Sequence, residues 1–153
     1  MTRWPATAAV LLGAVLGLSA CTAAEPIGAT HAGDAVTILF GYQCRERDYL
    51  QTATVGRMDG GKLGPAVWTI VADHAAAVPQ LRVGTAPTGY RVTLDDLHGA
   101  DLGLTFWVQA TFAAQNYTAT VFDLRKVKDG TVLDKGGGGS TPETFQKKYA
   151  CDG

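Results

Sequence analysis

The run LTFWVQATF-AAQ-NYTATVFDL, from Leu104 to Leu124, reads as two β-strands and the short connection between them. Both halves are dense in aromatic residues, Val and Thr, the side chains that fit a pleated, half-buried surface. Only Ala113, Ala114 and Gln115 separate Leu104–Phe112 from Asn116–Leu124, so the pair predicts an antiparallel hairpin.

The same signal extends in both directions. From Asp34, the set Val36, Ile38, Phe40, Tyr42 and Cys44 alternates with Thr37, Leu39, Gly41 and Gln43. That period of two predicts a strand whose first set faces a core. Arg45 to Asp48 forms a charged turn. YLQTATVGR (Tyr49–Arg57) and PAVWTIVA (Pro65–Ala72) are further strands, with Asp59-Gly60-Gly61 as a turn between them. Asp73 to Pro79 holds at most one helical turn, stopped by Pro79. Leu81–Gly84 and Tyr90–Leu94 are short strands on either side of TAPTG, and Asp95–Gly103 is a polar loop. GGGGS, Gly136 to Ser140, reads as a flexible loop. Thr144 to Cys151 reads as a closing strand with Phe145, Tyr149 and Cys151 on one face. Roughly eight short strands about ten residues apart predict an all-β fold, an antiparallel β-sandwich or partly open barrel in a single domain.

The N-terminus carries a different signal. Arg3 is the one charge before Glu25, and Ala6 to Leu18 is apolar apart from Thr7. That stretch has the length of a secretory h-region and falls short of the roughly 20 residues that span a bilayer. It ends in Leu18-Ser19-Ala20-Cys21, a lipobox. Small residues there let the chain enter a peptidase that cuts between Ala20 and Cys21. The Cys21 thiol then carries a diacylglycerol through a thioether, and its freed amine takes a further acyl chain of the palmitate class. Each buried methylene contributes about 0.8 kcal/mol, and two or more chains make a stable anchor where one does not. The expected organisation is a lipoprotein signal peptide over residues 1–20, a lipidated tether over 21–33 (TAAEPIGATHAG follows Cys21) and a β domain over 34–153. The chain is then held on the extracytoplasmic face of the cell membrane, at the cell surface. An ordinary signal peptide followed by an unmodified Cys is the alternative; a transmembrane helix is disfavoured by the polar residues from Thr22 onward.

With Cys21 lipidated, Cys44 and Cys151 remain. Export to an oxidising compartment makes a disulfide between them the default, against a reactive thiol that has no His or basic cluster near it in sequence. Of the 13 basic residues Arg3 falls in the leader, leaving 12 against 14 acidic. So balanced a chain has no footprint for nucleic acid and no polybasic patch, and the membrane is reached through the lipid alone.

Catalytic constellations are not legible. Ser140 is the one serine after the leader and sits among glycines; a hydrolase needs its serine rigid beside a base. His31, His74 and His98 have no metal-ligand spacing. Asp95, Asp96, His98 and Asp101 form either a solvated turn or a weak oxygen site for a divalent cation. Trp68, Trp107, Phe106, Phe112, Tyr117 and Phe122 are core residues first and pocket lining second. The glycine run lacks the Lys-Ser/Thr of a phosphate loop, and Asn116-Tyr117-Thr118 matches a glycosylation sequon that is largely idle in a bacterial lipoprotein. No catalytic residue, no metal and no cofactor beyond the acyl lipid on Cys21 is expected.

The lipobox, the short Thr/Ala tether, a first strand ending in Cys and a Cys at the extreme C-terminus together resemble the small mycobacterial lipoprotein antigens of the LpqH type. Cys44 and Cys151 match that family's two-cysteine frame, and GPAVWTIVADHAAAVPQLRVGT (Gly64–Thr85), GYRVTLD (Gly89–Asp95) and QATFAAQNYTATVF (Gln109–Phe122) are similar to its strands in order. The resemblance implies a non-enzymatic surface lipoprotein, antigen- or adhesin-like, whose acylated N-terminus is recognised by host innate receptors. Its β domain then meets a host receptor or another envelope protein. Two other functions fit the residues: a carrier of a lipid or small hydrophobe between the sheets, and a phage- or envelope-exclusion lipoprotein.

Overall fold

A computed structural model describes residues 26–97, 102–114 and 117–151. Among the described residues the strands are β1 (Ile27–Ala32), β2 (Ala35–Phe40), β3 (Leu50–Asp59), β4 (Lys62–Ala72), β5 (Gln80–Arg82), β6 (Tyr90–Asp95), β7 (Thr105–Phe112), β8 (Tyr117–Asp123), β9 (Val132–Asp134) and β10 (Gly137–Ser140). One helix, α1 (Pro142–Lys148), follows them. Two five-stranded antiparallel sheets, ordered β10-β9-β1-β2-β5 and β6-β4-β3-β7-β8, face each other as a sandwich.

The hairpin read at Leu104–Leu124 is β7–β8, in register from Thr105↔Asp123 to Thr111↔Tyr117. Phe106, Val108, Ala110 and Phe112 turn inward from β7, where they meet Ala53 and Val55 of β3, Trp68 and Ile70 of β4, and Val36, Ile38 and Phe40 of the opposite sheet. Trp68, Phe106, Phe112 and Phe122 are all core. Trp107 lies instead on the outer face, its ring against Gly56 and its Nε1 donating to the Gly64 carbonyl at 3.0 Å. Tyr117 is 65% exposed.

Four local expectations are corrected. The tether expected over 21–33 contains β1, which sits mid-sheet between β9 and β2. It is buried on both faces because its side chains are small: Ala29 lies under the main core, and Gly28 passes beneath Phe145. The strand from Asp34 stops at Phe40, short of Cys44. Gly41 N–H donates to Pro26, Tyr42 N–H donates to the Tyr149 carbonyl, and Tyr42 takes φ +53°, which turns the chain out of the sheet. Tyr42 and Cys44 are therefore exposed rather than core-facing.

The glycine loop is largely β10, paired to β9 with a bulge between Gly138 and Ser140. Glycine is needed at Gly138 because Val127 occupies the space a side chain would take. The closing strand is α1. Thr141 caps it by accepting from Thr144 N–H at 3.2 Å, Pro142 opens the first turn, and Lys147 and Lys148 close the last. Phe145 and Tyr149 share a face as an i, i+4 pair and pack with Leu39 and Val132 on the outer side of the first sheet.

Candidate functional site

The pairing registers give the sandwich two distinct ends. Ile27↔Phe40 lies at one end of the β1–β2 hairpin and its turn at Gly33 and Asp34 at the other. Phe40 stacks edge-on against Phe112 at 5.9 Å, so the β7–β8 connection falls at the Pro26 end too. The β3–β4 turn at Gly60 and Gly61 therefore falls at the far end.

The disulfide lies at the Pro26 end. Cys44 and Cys151 are joined with Cα atoms 5.4 Å apart across a sequence separation of 107. Cys44 follows the outward turn at Tyr42, and Cys151 follows α1. Both are exposed, so the bond ties two surface segments and leaves the core to its apolar contacts. Around it Tyr42 and Tyr149 stack edge to face at 5.4 Å, with Lys148 Nζ 4.8 Å from the Tyr149 ring centroid. Gln43 ties the same segment inward: its side chain donates to Val78 O at 2.7 Å and accepts from Val78 N at 2.8 Å. Tyr90 is buried nearby, and its hydroxyl has Leu50 O at 2.7 Å and Ala76 O at 3.0 Å as acceptors. Burial pushes the phenol's pKa up, and Ala76 N–H, donating to the phenol oxygen at 3.3 Å, partly offsets that rise.

The opposite end holds a cleft of about 370 Å³, lined by Asp34, Ala35 and Val36, by Arg82 and Val83, and by Leu97 and Leu102–Leu104. It lies between the two sheets where β2 begins and β5 ends, and Leu97, Leu102, Gly103 and Leu104, between β6 and β7, form its other wall. Its apolar residues continue the core outward, and Asp34 and Arg82 set opposite charges on its rim. Its volume falls at the low end of ligand pockets, and its lining is as polar as it is apolar. Val36, on its wall, belongs to the same core cluster as the almost wholly buried Val55, Trp68 and Phe106.

Other candidate residues fall apart in space or outside the described residues. Asp95 and Asp96 are exposed at the end of β6, Asp96 N–H bonds to Val67 O, and His98 and Asp101 lie outside the described residues. Among the described residues, no three His, Cys, Asp or Glu side chains are grouped so as to hold a metal ion. His31 is buried in β1 with Nδ1 2.9 Å from Asp129 and 3.2 Å from Gly33 O; His74 is exposed. Ser140 ends β10, paired with Val132. Cys21, the Ala20–Cys21 cleavage point and Asn116 of the sequon lie outside the described residues. No described helix is long and apolar enough to cross a membrane.

The distal cleft was not legible beforehand. Its walls come from three segments, two joined by the β2–β5 pairing and the third carried by the opposite sheet, and the one local hint was the spacing of Leu97, Leu102 and Leu104 in a stretch that otherwise reads as polar.

Comparison with family models, with curated proteins and with solved structures finds no match.

Proposed function

We propose that this chain is a lipid-anchored cell-envelope lipoprotein on the extracytoplasmic face of the membrane, and that its β-sandwich is a non-catalytic interaction domain. The observation that carries the reading is the lipobox Leu18-Ser19-Ala20-Cys21, placed only five residues ahead of Pro26 and the start of β1. A disulfide-closed sandwich directly behind a lipidatable cysteine is the arrangement of a domain displayed close above a bilayer. The LpqH-type resemblance adds an antigen- or adhesin-like role, with the acylated Cys21 as the part met by host innate receptors and the β domain as the part met by a protein partner.

Cys21→Ala tests the anchor. The variant keeps its fold and leaves the membrane fraction, or accumulates as uncleaved precursor. A folded Cys21→Ala protein that is processed and stays fully membrane-bound contradicts the reading. Pull-down from intact envelope with the lipidated protein then identifies the partner.

The distal cleft favours a second reading, a carrier of a small hydrophobe. Its volume is at the low end of ligand sites, and it opens at the end remote from the anchor. Native mass spectrometry of the protein released gently from membranes separates the two. A co-purifying apolar mass that is lost in Leu102→Arg supports the carrier; bare protein together with a captured partner supports the interaction domain.

A further inference from the structure

The chain has five tyrosines, and the pairing registers put all of them at the Pro26 end of the sandwich. Tyr42 follows β2, Tyr49 precedes β3, Tyr90 opens β6, Tyr117 opens β8 and Tyr149 follows α1. Tyr90 is used inside, as a hydrogen-bonded core residue. The others reach the surface: Tyr42 is 46% and Tyr117 65% exposed, while Tyr49 and Tyr149 are half-buried. Tyr42 holds its ring out from a left-handed backbone, φ +53°, a conformation that residues other than glycine keep only where the surroundings fix it. Here the Tyr149 carbonyl and the Tyr149 ring fix it. At the same end Arg45 and Arg47 are exposed beside the disulfide, and Lys147 and Lys148 close α1. Acidic residues share this end: Glu46, Asp48 paired with Arg47 at 3.8 Å, Asp73 paired with Arg91 at 2.8 Å, and Asp134 near Lys148.

Tyrosine has an apolar ring and a polar tip, and it concentrates where one side of a protein is apolar and the other wet. Lysine and arginine beside such rings attract anionic headgroups. Chain length fixes what lies opposite. Five residue steps separate Cys21 from Pro26, a reach of at most about 18 Å even when fully extended.

We propose that this tyrosine-ringed end of the sandwich, with Lys147 and Lys148 beside its rings, is a membrane-contact surface that rests in the headgroup layer of the bilayer holding the Cys21 lipid. The inference depends on the lipid anchor proposed above. It makes the domain a directed one: the Tyr end faces the bilayer and the cleft at Asp34, Arg82 and Leu102 faces away from it.

The test uses the full acylated chain in vesicles whose lipids carry bromine on their acyl chains and include an anionic phospholipid. Tyr42→Trp and Tyr117→Trp place reporters at the proposed surface. Leu63→Trp places one at the far β3–β4 hairpin, where Leu63 is 67% exposed. An unchanged melting temperature verifies the fold of each variant, and quenching is read as the excess over the parent chain, whose Trp68 and Trp107 are common to all. Quenching at position 42, position 117 or both, with none at position 63, is the expected result, and Lys147→Glu with Lys148→Glu reduces it. Quenching at position 63, or at none of the three in a chain whose mass shows the lipid, overturns the contact surface and leaves the anchor standing. A mature chain without lipid overturns both.

Discussion

Breaking the Cys44–Cys151 bond is the perturbation with the largest expected effect. A crosslink closing a separation of 107 residues is worth about 4.8 kcal/mol at 25 °C by chain entropy. Phe145, buried against Leu39 and Val132, keeps α1 docked in the reduced chain, so the effect arises in the unfolded ensemble; crosslinks commonly deliver less than the chain-entropy figure. A loss of about 2–5 kcal/mol follows. Against a domain stability of roughly 5–15 kcal/mol, that moves the melting temperature down by about 10–20 °C. Both cysteines are exposed, so a reductant reaches the bond in the folded protein. The assay is thermal unfolding with and without reductant, beside the Cys44→Ser and Cys151→Ser variants and a thiol count under denaturing conditions. Two free thiols in the native exported protein, or an unchanged melting temperature on reduction, would refute the reasoning.

Three further outcomes are expected. Gly28→Ala drives a methyl group into Val132 and Phe145, with contacts of 2.7 and 3.0 Å, and costs about 1–3 kcal/mol by overpacking, read by denaturant unfolding. Tyr90→Phe leaves the buried Leu50 carbonyl without its donor and costs about 1–3 kcal/mol. Because the folded phenol's pKa is raised above its ordinary value of 10.0, the Tyr90 contribution is fully present below about pH 10 and fades as pH climbs toward the folded pKa; Tyr90→Phe flattens that alkaline loss in a pH series of unfolding curves. Asp123 is held down at about 2, chiefly by the hydrogen bond from Arg125, so its contribution is present above about pH 4 and is lost as pH falls toward 2; Asp123→Asn removes that step from acid titration of stability.

The strands with side chains to spare were legible. β3, β4, β6, β7 and β8 announce themselves through Val, Thr and aromatic residues at period two, and the β7–β8 hairpin through its short connection. β1 was not, because IGATHA is a strand by virtue of what is missing: covered on both faces, it needs Gly28 and Ala29 where an ordinary strand would show bulk. α1 was misread because Phe145, Tyr149 and Cys151 satisfy a period of two as well as a helical one. The decisive signal was the cap Thr141-Pro142-Glu143, one turn upstream. β10 is held by Val127 seated against Gly138, a contact with no sequence signature. The cysteine pair was legible from its count. The clustering of the tyrosines was not, since it appears only once the registers show which strand ends coincide.

Mass spectrometry of the mature N-terminus, on protein taken from the membrane fraction of the cell that makes it, tests the central claim most directly. The account predicts a chain that begins at Cys21 and carries a diacylglycerol on its sulfur, with a further acyl chain on its amine where the host adds one. An unmodified first residue in a protein that nevertheless stays with the membrane would contradict it.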